Sequence, residues 1–233
     1  MLTKYKHLLK ENFETVNTIY EISKSLYKDI KRKDGITPYI VHPEAVAEIL
    51  LRNNIFDKTI LSVAFLHDVI EENKQFKYNP TSDLTTYLSN YFSDKEFIQD
   101  VVQKVMYLSF FEDPYGKEEL PYMKALHLAE IADVSKTYPD ILIVKLADRL
   151  ANIMDFYTFG AVSYSKKYFT RAEVLFGAMY NFEHEFNNVY YDLLEQGNLD
   201  KHKETLAYNL TYMLYFQAMI KETRIVKSKI FGK

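Results

Sequence analysis

Apolar residues recur at helical intervals along most of the chain. Val46, Ile49 and Leu50 share one face, and Ile60, Ala64 and His67 continue another at steps of three and four. The period-two alternation of a half-buried strand is scarce, so the pattern predicts an all-α fold. It places helices at about 4–30, 43–53, 58–73, 82–91, 94–109, 118–136, 140–156, 165–196 and 200–222. Pro43 and Pro139 suit a first helical turn, where a missing amide hydrogen costs nothing, and Asp57 suits the cap of the helix that follows it. Loops are expected at Asp34–Pro38, Lys74–Pro80, Asp113–Pro121 and around Gly160. No internal repeat, low-complexity tract or linker rich in Pro, Gly or Ser interrupts the pattern. One domain is therefore expected over 1–196, with 197–233 as a C-terminal helical extension packed on it.

Composition narrows the chemistry. A 48% hydrophobic share over 233 residues is ample for a sizeable core. Only six glycines and six prolines are present, and no proline follows Pro139, which favours long helices in the second half. The absence of cysteine excludes disulfides and thiolate metal sites, so any metal ligands must come from His, Asp or Glu. A formal charge of −3, from 29 basic and 32 acidic side chains, gives no overall field toward nucleic acid or an anionic membrane. A small anionic ligand would need local cations. The stretch MLTKYKHLLKENFETV carries charge throughout and no long apolar run, so neither a signal peptide nor a membrane span is expected, and the expected location is the cytoplasm. Tyr190, Tyr191, Tyr208, Tyr212 and Tyr215 in the tail fit either helix packing or an oligomer interface; sequence leaves the oligomeric state open.

Three segments carry inward-facing ionisable groups. In Phe65-Leu66-His67-Asp68-Val69-Ile70-Glu71-Glu72, His67 extends the apolar row of Ile60 and Ala64, and Asp68 shares a row with Leu61, Ala64 and Phe65. A lone histidine there would be an ordinary core residue. A carboxylate facing a core is unfavourable by several kcal/mol unless it is paired or bound to a metal. Glu71 and Glu72 follow one turn after His67 and Asp68, where they either handle a water molecule or end the helix as surface acids. In the run from Ile141 to Met154, apolar on nearly every side, Asp148 is an inward acid, with Asn152 one turn beyond it. Lys145 or Arg149 could simply neutralise it. The third segment, Arg32-Lys33-Asp34-Gly35-Ile36-Thr37-Pro38-Tyr39-Ile40-Val41-His42-Pro43, leads from a basic pair through a Gly/Pro turn to His42 at a helix entrance. Two imidazoles and two carboxylates make a mixed nitrogen and oxygen set suited to manganese, iron, zinc or magnesium.

The stretches RKDGITPYIVHP, FLHDVIEEN and VKLADRLAN resemble, in order, the successive motifs of the hydrolase domain of RelA/SpoT proteins, within the HD superfamily. The resemblance runs from about Tyr27 to Phe156, with a fainter echo at Lys167-Tyr168-Phe169. It implies an HD-type helical bundle with one manganese ion bound by His42, His67, Asp68 and Asp148. It also implies that Glu71 and Glu72 position and activate the attacking water, that Asn152 lies near the ribose and its phosphate, and that Arg32 and Lys33 line the nucleotide pocket together with Tyr168. The family reaction removes pyrophosphate from the 3′ position of guanosine tetra- or pentaphosphate, leaving GDP or GTP, so the expected partner is a small-molecule nucleotide. No synthetase or regulatory domain is recognised, and the chain is similar to the stand-alone small alarmone hydrolases. Glu72 stands where the family usually has Asp, and the segment from Asn73 to Asp140 matches loosely. Two alternatives stay open: an HD phosphohydrolase of another nucleotide, such as a nucleoside monophosphate, a cyclic nucleotide or a phosphorylated cofactor, and a non-catalytic nucleotide sensor.

Overall fold

A computed structural model describes residues 1–111 and individual positions between Met123 and Asn152. The helices expected at 165–196 and 200–222, the domain boundary expected near 196, Pro139 and Tyr168 lie outside the described residues. The chain divides into two units, Met1–Phe111 and Glu112–Lys233. Among the described residues the structure is helical without a strand, as the apolar periodicity predicts; one isolated bridge joins Lys31 and Pro38.

The first unit opens with a 3-10 turn at Leu2–Tyr5, helix α1 at Lys6–Leu9 and a second 3-10 turn at Lys10–Asn12. Helices α2 (Phe13–Leu26), α3 (Val41–Arg52), α4 (Lys58–Leu66), α5 (Val69–Glu72), α6 (Pro80–Ser89) and α7 (Lys95–Leu108) follow. Helix α4 is the centre of the unit. It packs against α2, α3 and α7, which explains why every residue from Ile60 to Leu66 is buried and why its sequence is apolar on all sides. Its start is fixed as expected by Asp57, whose carboxylate accepts the Ile60 amide at 2.9 Å, a cap that contributes about 1 kcal/mol. Asp94 caps α7 in the same way through the Phe97 amide at 3.0 Å. The amphipathic neighbours bury one stripe each: Val16, Ile19 and Ile22 on α2, and Ile98, Val101, Val102 and Val105 on α7.

Two predicted helices are broken. The helix expected over 4–30 is interrupted at Lys10, whose φ of 49° lies in the left-handed region, and it ends at Leu26. Asn12 anchors the interruption by donating to the Phe56 carbonyl at 3.2 Å. The helix expected over 58–73 stops at Leu66 and resumes at Val69, with Asp68 at φ −98°, ψ 1° between the two pieces. Its hydrogen bonding restarts with Glu72 N–H donating to the Asp68 carbonyl at 3.0 Å. The loop expected at Lys74–Pro80 contains a 3-10 turn, Lys74–Phe76, which buries Phe76.

In the second unit, the described positions from Asp140 to Asn152 are helical. Ile141, Ile143, Val144, Ala147 and Ala151 are buried there, and Asp148 with them. No helix among the described residues is long and apolar enough to cross a membrane.

Candidate metal centre

The turn before α3 sets up the first ligand. Asp34 Oδ1 accepts the Ile36 and Thr37 amides, each at 2.9 Å, Gly35 takes a positive φ of 73°, and Arg32 N–H donates to the Thr37 carbonyl at 2.8 Å. This folds the chain tightly between the basic pair and His42, which enters α3 in its first turn. His42 and His67 are 1% and 2% exposed, so neither imidazole is a surface residue.

Adjacent side chains on an unbroken helix point about 100° apart. At the interruption between α4 and α5, His67 and Asp68 instead converge, with His67 Nε2 at 3.2 Å from Asp68 Oδ2. His42 Nε2 lies 3.3 Å from His67 Nε2 and 3.5 Å from Asp68 Oδ2, so the three atoms form a nearly equilateral triangle. Donors about 2.1 Å from one ion lie roughly 3.0 to 3.4 Å apart, depending on the coordination geometry. The triangle therefore has the dimensions of one face of a coordination shell. The tautomer of His67 agrees. Its Nδ1 donates to the Ala64 carbonyl at 2.8 Å, which leaves the Nε2 lone pair of the neutral ring pointing at the triangle. The residues of this unit fit a cation by both chemistry and spacing.

Around the triangle sits a second set of groups. Tyr39 Oη donates to Asp68 Oδ2 at 2.7 Å. Its ring stacks on that of Tyr27 at 5.2 Å, has the Arg32 guanidinium over it at 5.2 Å from its centroid, and meets the His42 ring edge-on at 6.2 Å. Glu72 is about half-buried, and burial, followed by the charge of Asp68, pushes its carboxyl above the usual carboxylate range; the Tyr39 hydroxyl, Lys33 and Arg32 oppose that rise. Glu71 is exposed, and its Oε1 accepts the Phe110 amide at 2.7 Å just beyond α7. The two glutamates, equivalent in the sequence pattern, are thus held differently. Tyr39 went unassigned by pattern alone. Its available signal was position, one turn ahead of His42, with the His42 amide donating to its carbonyl at 3.0 Å.

In the second unit, Asp148 is 5% exposed. Lys145 Nζ lies 3.2 Å from its Oδ2, so the neutralising pair that the sequence allowed is formed. Asn152 Nδ2 donates to Asp148 Oδ1 at 2.5 Å and to the Asp148 carbonyl at 3.0 Å, which fixes the carboxylate rather than leaving the amide outward. Of the four expected ligands, His42, His67 and Asp148 are buried donors of the kind that could hold a metal ion.

No family model matches the chain. It is 29% identical over 162 residues to a guanosine-3′,5′-bis(diphosphate) 3′-pyrophosphohydrolase of Vibrio cholerae serotype O1, covering 70% of this chain and 20% of that protein. It is also 29% identical over 149 residues to the protein of the same name from Aquifex aeolicus, covering 64% of this chain and 19% of that one. The chain thus spans about a fifth of the length of the curated relatives it matches. The chain is thus similar to two relatives of one name, in agreement with the three motifs that resemble those of the RelA/SpoT-type hydrolase domain.

Proposed function

We propose that this chain is a metal-dependent phosphohydrolase that removes the 3′-pyrophosphate of guanosine tetra- or pentaphosphate. One divalent metal, manganese in this reading, is held by His42, His67, Asp68 and Asp148. The observation that carries the proposal is the triangle of His42 Nε2, His67 Nε2 and Asp68 Oδ2, with sides of 3.2 to 3.5 Å. The names of the two relatives support the substrate. The oxygen share of the donor set and the lack of cysteine favour a harder metal over a structural zinc. Such an ion, when bound, supplies the charge that acidifies a water and polarises a phosphoryl oxygen.

The chain's own groups do the rest. Glu72 takes the proton of the attacking water, because its half-buried carboxyl has a raised affinity for protons and lies in the field of Asp68. Glu71, anchored to the Phe110 amide, holds the water in place rather than taking its proton. Arg32 and Lys33 supply the local positive charge that an acidic protein needs to receive a polyphosphate. Asn152 orients Asp148 through the hydrogen bond to its Oδ1, and the resemblance to the family makes Tyr168 a further candidate for nucleotide binding.

The test is turnover of guanosine tetraphosphate by the full chain with added manganese, with products separated by ion-exchange chromatography. Stoichiometric pyrophosphate and GDP are expected. Release of orthophosphate, or hydrolysis confined to another nucleotide, would overturn the substrate assignment. Tight nucleotide binding without turnover in any divalent metal would overturn the enzyme assignment in favour of a sensor.

A further inference from the structure

We infer that Tyr39 is a positioning residue that ties a metal ligand and a substrate-facing cation into one unit, through its hydroxyl on Asp68 and its ring beneath Arg32. The inference rests on the metal-centre reading above, and it assigns a role to a residue outside the ligands and acids of that reading.

Four contacts converge on this side chain. The hydroxyl donates to Asp68 Oδ2 at 2.7 Å, and this is the same oxygen that forms one corner of the triangle. A carboxylate oxygen held from behind by a phenol keeps its orientation when no ion is bound, so less ordering remains to be done on binding. The same hydroxyl opposes the rise that burial imposes on the Glu72 carboxyl. The ring is fixed by its stack on Tyr27, which is itself fully buried, and it is 6% exposed. The Arg32 guanidinium, 5.2 Å from the ring centroid, is thereby held at a set distance from Asp68. The main chain repeats the link: Tyr39 N–H donates to the Ile30 carbonyl at 2.9 Å, and the Tyr39 carbonyl accepts the His42 amide.

The hydroxyl and the ring have separable duties, which makes the inference testable with two variants. Tyr39→Phe removes the hydroxyl and keeps the stack on Tyr27 and the face under Arg32. Manganese titration of the metal-free protein by calorimetry should then show affinity lowered about tenfold or more, as for loss of a hydrogen bond that orients a ligand. Its KM for guanosine tetraphosphate should stay within about twofold of the original while kcat falls. Tyr39→Leu also removes the ring face, so KM should rise in addition. Tyr27→Phe is the control for loss of a buried hydroxyl with the ring stack kept, because its hydroxyl makes no hydrogen bond with a side chain in the structure, and it should leave manganese affinity unchanged.

Unchanged manganese affinity in Tyr39→Phe would overturn the inference while leaving the metal centre intact. An equal loss in Tyr27→Phe would also overturn it, since loss of either buried hydroxyl near Asp68 would then suffice and the bond from Tyr39 would have no special role. A wild-type protein that takes up no manganese would overturn the metal-centre reading itself, and this inference with it.

Discussion

Asp68→Ala is expected to abolish manganese binding and to lower turnover at least about a thousandfold, since loss of the ion removes several kcal/mol of transition-state stabilisation. Asp68 is the corner of the triangle that supplies oxygen and negative charge, and its Oδ2 lies within 3.5 Å of both imidazoles. Without it, Asp148 would be the one carboxylate left in the proposed ligand set. The interrupted helix makes the effect specific. Asp68 reaches the triangle from the interruption between α4 and α5, where its backbone stands at φ −98°, ψ 1°. Manganese content measured by mass spectrometry after dialysis, alongside pyrophosphate release, checks both parts. A variant that keeps full activity, or keeps its metal, contradicts the ligand assignment. The fold should survive, because α4 is held by Ile60, Leu61, Val63, Ala64, Phe65 and Leu66 rather than by the acid at its end.

Glu72→Gln is expected to do the opposite to metal and the same to turnover. Manganese binding should persist while kcat falls by about a hundredfold to ten-thousandfold, the usual contribution of a positioned general base. A stability measurement on the metal-free protein gives an independent check with a definite sign. Burial raises the Glu72 pKa in the folded protein, so the folded state holds the proton to higher pH than the unfolded chain does. The stabilisation from that proton is fully present below the ordinary carboxylate range and is lost as pH rises through the raised value. Near neutrality the wild type therefore carries a partly desolvated charge that glutamine lacks. Metal-free Glu72→Gln should melt slightly higher than wild type at pH 7, with the gap closing toward pH 4. The difference should be small, because water still reaches half of the side chain and screens its charge. A variant with unchanged kcat would move the proton-accepting role to Glu71 or elsewhere.

Much of the fold was legible because local and tertiary signals agreed. The apolar run of α4, the cap at Asp57 and the single-face stripe of α7 each reflect one physical demand, and each lies where the pattern put it. The interruption at His67–Asp68 was not legible. Its residues keep helical periodicity on both sides, and no Gly or Pro marks it; the backbone departure becomes visible only as the turn of Asp68 that brings its carboxylate onto His67. The break at Lys10 was hidden for the same reason, since a lysine gives no sign that its φ will be positive.

For the site, residue types revealed more than spacing did. His42, His67 and Asp68 stood out because an ionisable group on an apolar row needs a partner, and the structure of the first unit brings all three together. Pattern could not separate Glu71 from Glu72, because their difference comes from contacts distant in sequence: the Phe110 amide holds one, while Tyr39 and the basic pair face the other. Tyr39 was missed because a tyrosine in a Pro-containing turn reads as packing. Its role depends on an acceptor twenty-nine positions away.

The most direct test of the central claim is equilibrium manganese titration of the metal-free chain, with Asp148→Ala measured beside the wild type. The account predicts one saturable equivalent per chain for the wild type and a large loss of affinity in the variant, because the proposed ligand set includes Asp148, a buried carboxylate held by Asn152 and Lys145. No saturable binding in the wild type, or an unchanged equivalent without Asp148, would contradict it.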